Sequence, residues 1–383
     1  MSGTTTADIA RRVRDAHATS TSLRIVGAGT WLDAGAPCVA AQRLDTAGLT
    51  GILEYEPGDL TLTARAATRL DEIADATAQF GQWLPLDPFG TGGTLGATVA
   101  TASYGPLAAA FGTPRDQVLG CEVVTGTGDI VRAGGKVVKN VAGFDITRLM
   151  VGAWGTLGAL TEVTVRLRAR PEAETTIAIV LGTFADVERA QRWRRTSEFA
   201  PLAAEVLSPA LARRIGIPDA NAPVLLLRLG GNPSYLAAAL HAAGSLGQVT
   251  IHDVALWQAL ALSDGATDAV IRCSAAPSGF SSLWTAVHGV VERAGGVAHA
   301  NLTRGVIRCV LPTAGDRSAD TLRGTLMALP PCTRIPERLP APLWKPVALD
   351  AVTHSLAMGV RRVFDPGHWL NPGIMGTLNL ASS

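Results

Sequence analysis

Residues 90–105 read "GTGGTLGATVATASYG", sixteen positions with no charge, four glycines before the midpoint and otherwise mostly small side chains. Glycine inside a regular element costs roughly 0.5–1 kcal/mol relative to alanine, and there is little bulk here to bury. The composition argues against a helix or a core strand and for a backbone that something else approaches closely. The whole uncharged run, Pro88 to Pro114, has the length of a membrane span. Its six glycines and three prolines, and its lack of long aliphatic stretches, argue against one.

The surrounding chain sets the frame. Its 383 residues exceed the usual size of one domain. A net charge of +1 offers no bulk attraction to nucleic acid or to an acidic surface. Five scattered cysteines, at 38, 121, 273, 309 and 332, include no CxxC pair for zinc or an iron–sulfur cluster. They fit a reducing cytoplasm, with the buried thiols acting as small apolar groups. The opening "MSGTTTADIARRVRDAHATS" has arginines but no apolar segment after them, unlike a secretory signal.

Periodicity divides the chain. "SLRIVGAGT" reads as a short strand entering a glycine turn, and "DLTLTARAA" alternates as a half-buried strand with Leu60, Leu62, Ala64 and Ala66 on one face. Leu70, Ile73, Ala74, Thr77 and Phe80 recur at helical spacing before Gly81. "CEVVTGTGDIVRAGG" predicts two strands about a turn, and "LTEVTVRLRARP" sets Val163, Val165 and Leu167 against Thr164, Arg166 and Arg168. From Pro171 the helical "ADVERAQRWRRTSEF" and "SLWTAVHGVVERAGG" alternate with the strand-like "APVLLLRLGG" and "GVIRCVLP", an α+β pattern. The proline-studded "PCTRIPERLPAPLWKP" reads as a linker or crossover. A last helix, "ALDAVTHSLAMGVRRVF", leads to the turn-rich "DPGHWLNPGIMG".

The glycine motifs narrow the chemistry. Gly27-x-Gly29 follows a strand, but Leu32 stands where a dinucleotide fingerprint needs its third glycine, and "TWLDAGAP" turns again instead of starting a helix. "RAGGKVV" lacks the first glycine and the final Ser or Thr of a phosphate loop. What remains is the opening stretch paired with "GAWGTLGALTEV", where Gly96, Gly155 and Gly158 would let amides approach a ligand. Two such concave amide nests would hold a pyrophosphate without lysine or arginine. Small residues Ala97, Ala100, Ala102 and Ser103 would leave room for a flat ring.

"PLDPFGTGGTLGATVATASYGP", "FGTPRDQVLGCEVVTGTGD" and "GGKVVKNVAGFDITRLMVGAWGTLGALTEVTVRLRARP" resemble the FAD-binding (PCMH-type) domain of the vanillyl-alcohol-oxidase family. Within it they are most similar to the branch of bacterial glycolate oxidase FAD-binding subunits. The resemblance covers residues 23–171 and returns at "FDPGHWLNPG". It implies an α+β fold: a PCMH-type domain of two α/β subdomains over 1–170, a smaller cap with an antiparallel sheet and helices over 171–340, and a carboxy-terminal return over 341–383.

For the cofactor, the resemblance implies a first pyrophosphate loop at Val26, Gly27, Ala28, Gly29 and Thr30. It implies a segment along pyrophosphate and flavin ring at Leu95, Gly96, Ala97, Thr98, Thr101, Ala102 and Gly105. Gly155, Gly158, Leu160, Thr161 and Val163 would lie beside the adenine and ribose, and Asn371 near the ring edge. Some relatives attach flavin covalently through a histidine in the first loop; "GAGTWLDAG" has none, so dissociable FAD is expected.

Oxidising a 2-hydroxy acid needs a cationic clamp and a base. The seven histidines form no HxH cluster. His299 with Arg304, and His368, are the candidates for catalysis, and no metal site is expected. The resemblance further implies a sister FAD-binding glycolate oxidase subunit carrying the main substrate site, an iron–sulfur partner subunit, and membrane proximity only through partners. Two alternatives stay open: a self-sufficient FAD oxidoreductase for another hydroxy acid or alcohol, and a flavin-carrying structural subunit without chemistry of its own.

Overall fold

The computed structural model describes residues 4–135, 145–183, 185–313, 319–344 and 355–376. The segment "KVVKNVAGF" of the resemblance, and the first part of the expected last helix, lie outside the described residues. The chain divides into two compact units, one of residues 1–104, 112–170 and 349–383, the other of 105–111 and 171–348.

In the first unit, Thr5 caps a helix over Thr6–Ala18. Its hydroxyl accepts the Asp8 N–H while the Asp8 carboxylate accepts the Thr5 N–H, a reciprocal cap. Ile9, Ala10, Val13 and Ala16 recur every three or four residues and are buried. They pack with Leu23 and Leu44 of a parallel strand pair, Leu23–Val26 against Gln42–Asp45, and with Leu370. A second core lies on a five-stranded antiparallel sheet in the order Ile52–Glu56, Thr61–Arg65, Ala159–Arg166, Val118–Val124, Ile130–Gly134. The alternation in "LTEVTVR" is kept: Val163 and Val165 are fully buried, Thr164 and Arg166 only partly. The helix expected around Ile73 runs Leu70–Ala78. Gly81 follows it at φ +62°, in the left-handed region that ends helices.

The "GTGGTLGATVATASYG" stretch departs from its expectation. Leu95–Thr101 is helical, its first turn capped by Thr94, whose hydroxyl accepts the Ala97 N–H at 3.3 Å. Leu95 and Val99 anchor it in the core, and Gly96 lets it dock: a Cβ there would stand 2.6 Å from Ala66 Cβ. Tertiary packing overrides the poor helix propensity.

The second unit is an eight-stranded antiparallel sheet in the order Val249–His252, Ala173–Val180, Val224–Gly231, Ala203–Leu207, Val297–Asn301, Val306–Leu311, Ala269–Ser274, Thr333–Arg338. The expected helices form at Ala185–Thr196 and Phe280–Arg293. The proline-rich segment expected as a linker instead supplies the last strand. It lies at the sheet edge, where Pro336 removes no ladder hydrogen bond from a central position. Among the described residues no helix is long and apolar enough to cross a membrane.

Candidate functional site: a groove in the first unit

An open groove of about 770 Å³, solvent included, runs over the first unit. Its lining comes from four distant parts of the chain: the first strand and its turn, Ala66 and Ala67 after the Thr61–Arg65 strand, the helix at 95–101, and the turn around Trp154. Asn371 and Ile374 close it from the carboxy-terminal turn.

All five residues expected in the first loop, Val26, Gly27, Ala28, Gly29 and Thr30, line the groove. Strand pairing fixes where the loop begins, because the Val26 carbonyl accepts both the N–H and the hydroxyl of Thr46. Among the described residues, no protein acceptor takes the N–H groups of residues 27–30. A Cβ on Gly27 would meet no protein atom nearer than 3.8 Å, and Gly27 is not held at positive φ. Neither packing nor backbone geometry therefore demands glycine at 27. The open space above it belongs to the groove.

Three glycines further along the chain differ. Gly96, Gly155 and Gly158 all line the groove, but each also faces protein. Gly96 backs onto Ala66, Gly155 onto Asn371, with Nδ2 at 2.7 Å from a built Cβ, and Gly158 onto Val123 and the Val124 carbonyl. Their bareness serves internal packing as well as the groove they line.

Asn371 is the fastening of the carboxy-terminal turn. Its Oδ1 accepts the Ile25 N–H at 2.8 Å, and its main-chain N–H donates to the Leu23 carbonyl. It sits at φ +43°, which asparagine tolerates better than most residues. The preceding turn is set by Asp365, whose two carboxylate oxygens accept the N–H groups of Trp369 and Leu370. Burial holds the Asp365 carboxyl above its usual range despite those bonds and the nearby Arg361.

Ala97, Thr101 and Leu160 also line the groove, whereas Leu95, Thr98, Thr161 and Val163 do not. Leu95 and Val163 are core residues, and the Thr98 and Thr161 hydroxyls are spent on the Thr94 carbonyl and on Glu122. Ala102, at φ +49°, ends the helix and lies off the lining, and Gly105 belongs to the second unit.

The candidates for catalysis are dispersed. His299 lies in the second unit, buried, its Nδ1 2.7 Å from Glu205 Oε2, while Glu205 Oε1 accepts from Asn301 Nδ2. Arg304 joins that cluster through its main-chain N–H, which donates to Asn301 Oδ1. His368 is in the carboxy-terminal turn of the first unit, off the lining. Its burial and the Arg361 guanidinium keep it below the usual histidine value. Among the described residues no group of three or more His, Cys, Asp or Glu is placed to hold a metal.

Sequence reasoning missed Arg24, Thr46, Ala66, Trp31 and Trp154 on the lining. The two indoles meet edge to face with centroids 6.3 Å apart. Arg24 adjoins the predicted loop and was within reach of sequence reasoning. Thr46 and Ala66 arrive only through strand pairing.

Comparison with known proteins accounts for this arrangement. Residues 2–134 match the family described as FAD binding domain, which supports FAD as the cofactor. Glycolate oxidase subunit GlcE of Escherichia coli (strain K12) is 41% identical over 168 residues, 43% of this chain and 48% of the relative. Glycolate oxidase subunit GlcD of Bacillus subtilis (strain 168) is 35% identical over 188 residues, covering 47% of this chain and 40% of the relative. A mitochondrial D-lactate dehydrogenase (cytochrome) of Arabidopsis thaliana is 32% identical over 168 residues, 43% of this chain and 30% of the relative. The chain thus spans about half or less of the curated relatives it matches. Among solved structures, an alkyldihydroxyacetonephosphate synthase superposes with a TM-score of 0.70 at 16% identity, covering 95% of this chain and 75% of that one. At that identity the likeness shows the fold alone, a mixed α+β architecture with antiparallel sheets.

Proposed function

We propose, from the match of residues 2–134 to an FAD binding domain, that this chain is the FAD-binding subunit of a glycolate oxidase-type complex that oxidises a small 2-hydroxy acid. The observation that carries the reading is the first loop. Among the described residues its amides at 27–30 lack protein acceptors, and Gly27 is bare without an internal reason. Successive N–H groups of this kind form a cradle for anionic oxygens, which the diphosphate of a dinucleotide supplies. When bound, FAD supplies the two-electron acceptor for converting the hydroxyl-bearing carbon to a carbonyl.

The chain's own residues do the holding. The loop at 26–30 grips the diphosphate, Ala97 and Thr101 give a low wall along the flavin, and Asn371 fixes the carboxy-terminal turn beside the ring edge. With no histidine in the loop, the cofactor is dissociable. The second unit is the substrate-side cap. His299 and Arg304 there, and His368, are the groups offered for base and carboxylate clamp. The main hydroxy-acid site belongs to a sister flavoprotein subunit, and an iron–sulfur subunit takes the electrons onward. Support for a multi-subunit reading comes from two relatives, each named as a glycolate oxidase subunit.

Two measurements test it. Purified chain titrated with FAD binds one equivalent, and acid precipitation leaves all flavin in the supernatant; no uptake, or flavin retained in the pellet, contradicts the cofactor reading. Native co-purification followed by iron and flavin analysis yields a complex reducing a dye with glycolate or D-lactate. Full turnover by the chain alone would replace the subunit reading with a self-sufficient enzyme.

A further inference from the structure

Among the described residues, Arg24 is the only charged side chain on the groove lining. Every other side-chain polar group there is a threonine hydroxyl, an indole N–H or the Asn371 amide. The Arg24 Nη1 is buried and meets no acceptor, and no ion pair or hydrogen bond engages the guanidinium among the described residues. Its strand neighbours make this worse. In the parallel pair Arg24 stands opposite Arg43, a like charge where a carboxylate would be stabilising. A buried cationic donor left this way is unfavourable unless an anion completes it. Arg24, Ile25 and Val26 all line the groove at the end of the first strand. The loop of amides without protein acceptors begins three residues after Arg24.

We propose that Arg24 is the anion anchor of the groove, its guanidinium fork taking the oxygens of the FAD diphosphate together with the amides of residues 27–30. The assignment rests on the FAD reading above and adds to it a specific cation, where the amide nests alone were expected to suffice. The diphosphate is preferred to the ring because it carries permanent negative charge in a shape that a guanidinium matches with two parallel bonds.

The test uses the full chain, freed of flavin, and titrations with FAD, ADP and riboflavin at two salt concentrations. Arg24→Gln should weaken FAD and ADP alike by roughly 10- to 100-fold, the scale of a hydrogen bond to a charged group. Riboflavin, which has no phosphate, should bind as before, and the salt dependence of FAD binding should flatten. Arg24→Lys, which keeps the charge but loses the fork, should fall between and guards against a variant that fails to fold. Wild-type protein that binds FAD while both variants bind it within twofold of wild type would overturn the anchor and leave the cofactor reading standing. A loss confined to riboflavin and FAD, with ADP unchanged, would move Arg24 to the ring and equally overturn it. Wild-type protein that takes up no FAD would sink the cofactor reading itself.

Discussion

Asn371 Nδ2 donates to the Trp154 carbonyl at 2.7 Å across 217 residues of chain. The same side chain accepts from Ile25. One amide thus joins the first strand, the tryptophan turn and the carboxy-terminal turn, three of the walls of the groove. Asn371→Ala removes both partners and places alanine in a left-handed conformation. It should cost about 1–3 kcal/mol of stability and loosen FAD together with it. Urea unfolding and FAD titration on the same preparation check this; an unchanged unfolding midpoint would contradict the joining role.

Two glycines of the groove should respond oppositely to the same methyl group. At Gly27 a Cβ has open space, so Gly27→Ala should change the stability of the flavin-free chain by less than about 0.5 kcal/mol while weakening FAD. At Gly96 the Cβ would collide with Ala66, and Gly96→Ala should destabilise the fold by about 1–3 kcal/mol, the scale of an overpacked site. Thermal unfolding with and without FAD separates the two. Equal losses in both variants would show that Gly27 is structural after all.

In the second unit Arg308 is buried between Asp264 and Glu337, its Nη1 3.1 Å from Asp264 and its Nε 2.9 Å from Glu337. Burial alone would raise both carboxyl pKa values, but the Arg308 guanidinium, helped by Arg338 and Arg272, holds them below the ordinary range. A carboxyl with a depressed folded pKa contributes stability that is fully present above its unfolded value, near pH 4, and lost as pH falls through the folded value. Arg308→Met should therefore cost about 3–5 kcal/mol at pH 7. The deficit should shrink below about pH 4, where protonated carboxyls no longer need the cation. Urea denaturation from pH 3 to 7 reads both, and a deficit independent of pH would refute the pairing.

Thiol labelling should also be selective. Cys121, Cys273 and Cys309 are buried, and burial pushes the Cys121 thiol up to about 11. Cys273 is raised chiefly by its neighbour Cys309 and then by burial. Since the thiolate is the reactive form, a disulfide reagent should modify Cys38 first in native protein, the partly buried Cys332, whose thiol burial also raises, more slowly, and the rest on unfolding. Rapid native reaction at Cys273 or Cys309 would show that the sheet opens there.

Much of the framework was legible because it is local. The alternation of Val163 and Val165 with polar neighbours, the helical spacing around Ile73, and the glycine turn after Val26 are each written within a few residues. Two readings failed where packing outweighs local preference. Gly96 reads as a helix breaker, yet Leu95 and Val99 bury on one side and Ala66 meets the glycine on the other, so a short helix forms. Pro336 reads as linker, yet an edge strand has no inner ladder bond for a proline to spoil.

Residues in succession were enough to give the alternating strands, the glycine turn after Val26 and the lack of histidine in "GAGTWLDAG". The tertiary structure alone decided which glycines face protein and which face the groove, because that depends on what another segment places opposite. It also decided that Arg24 lines the groove without a counter-charge among the described residues: strand pairing set Arg43 beside it where a carboxylate would have satisfied it.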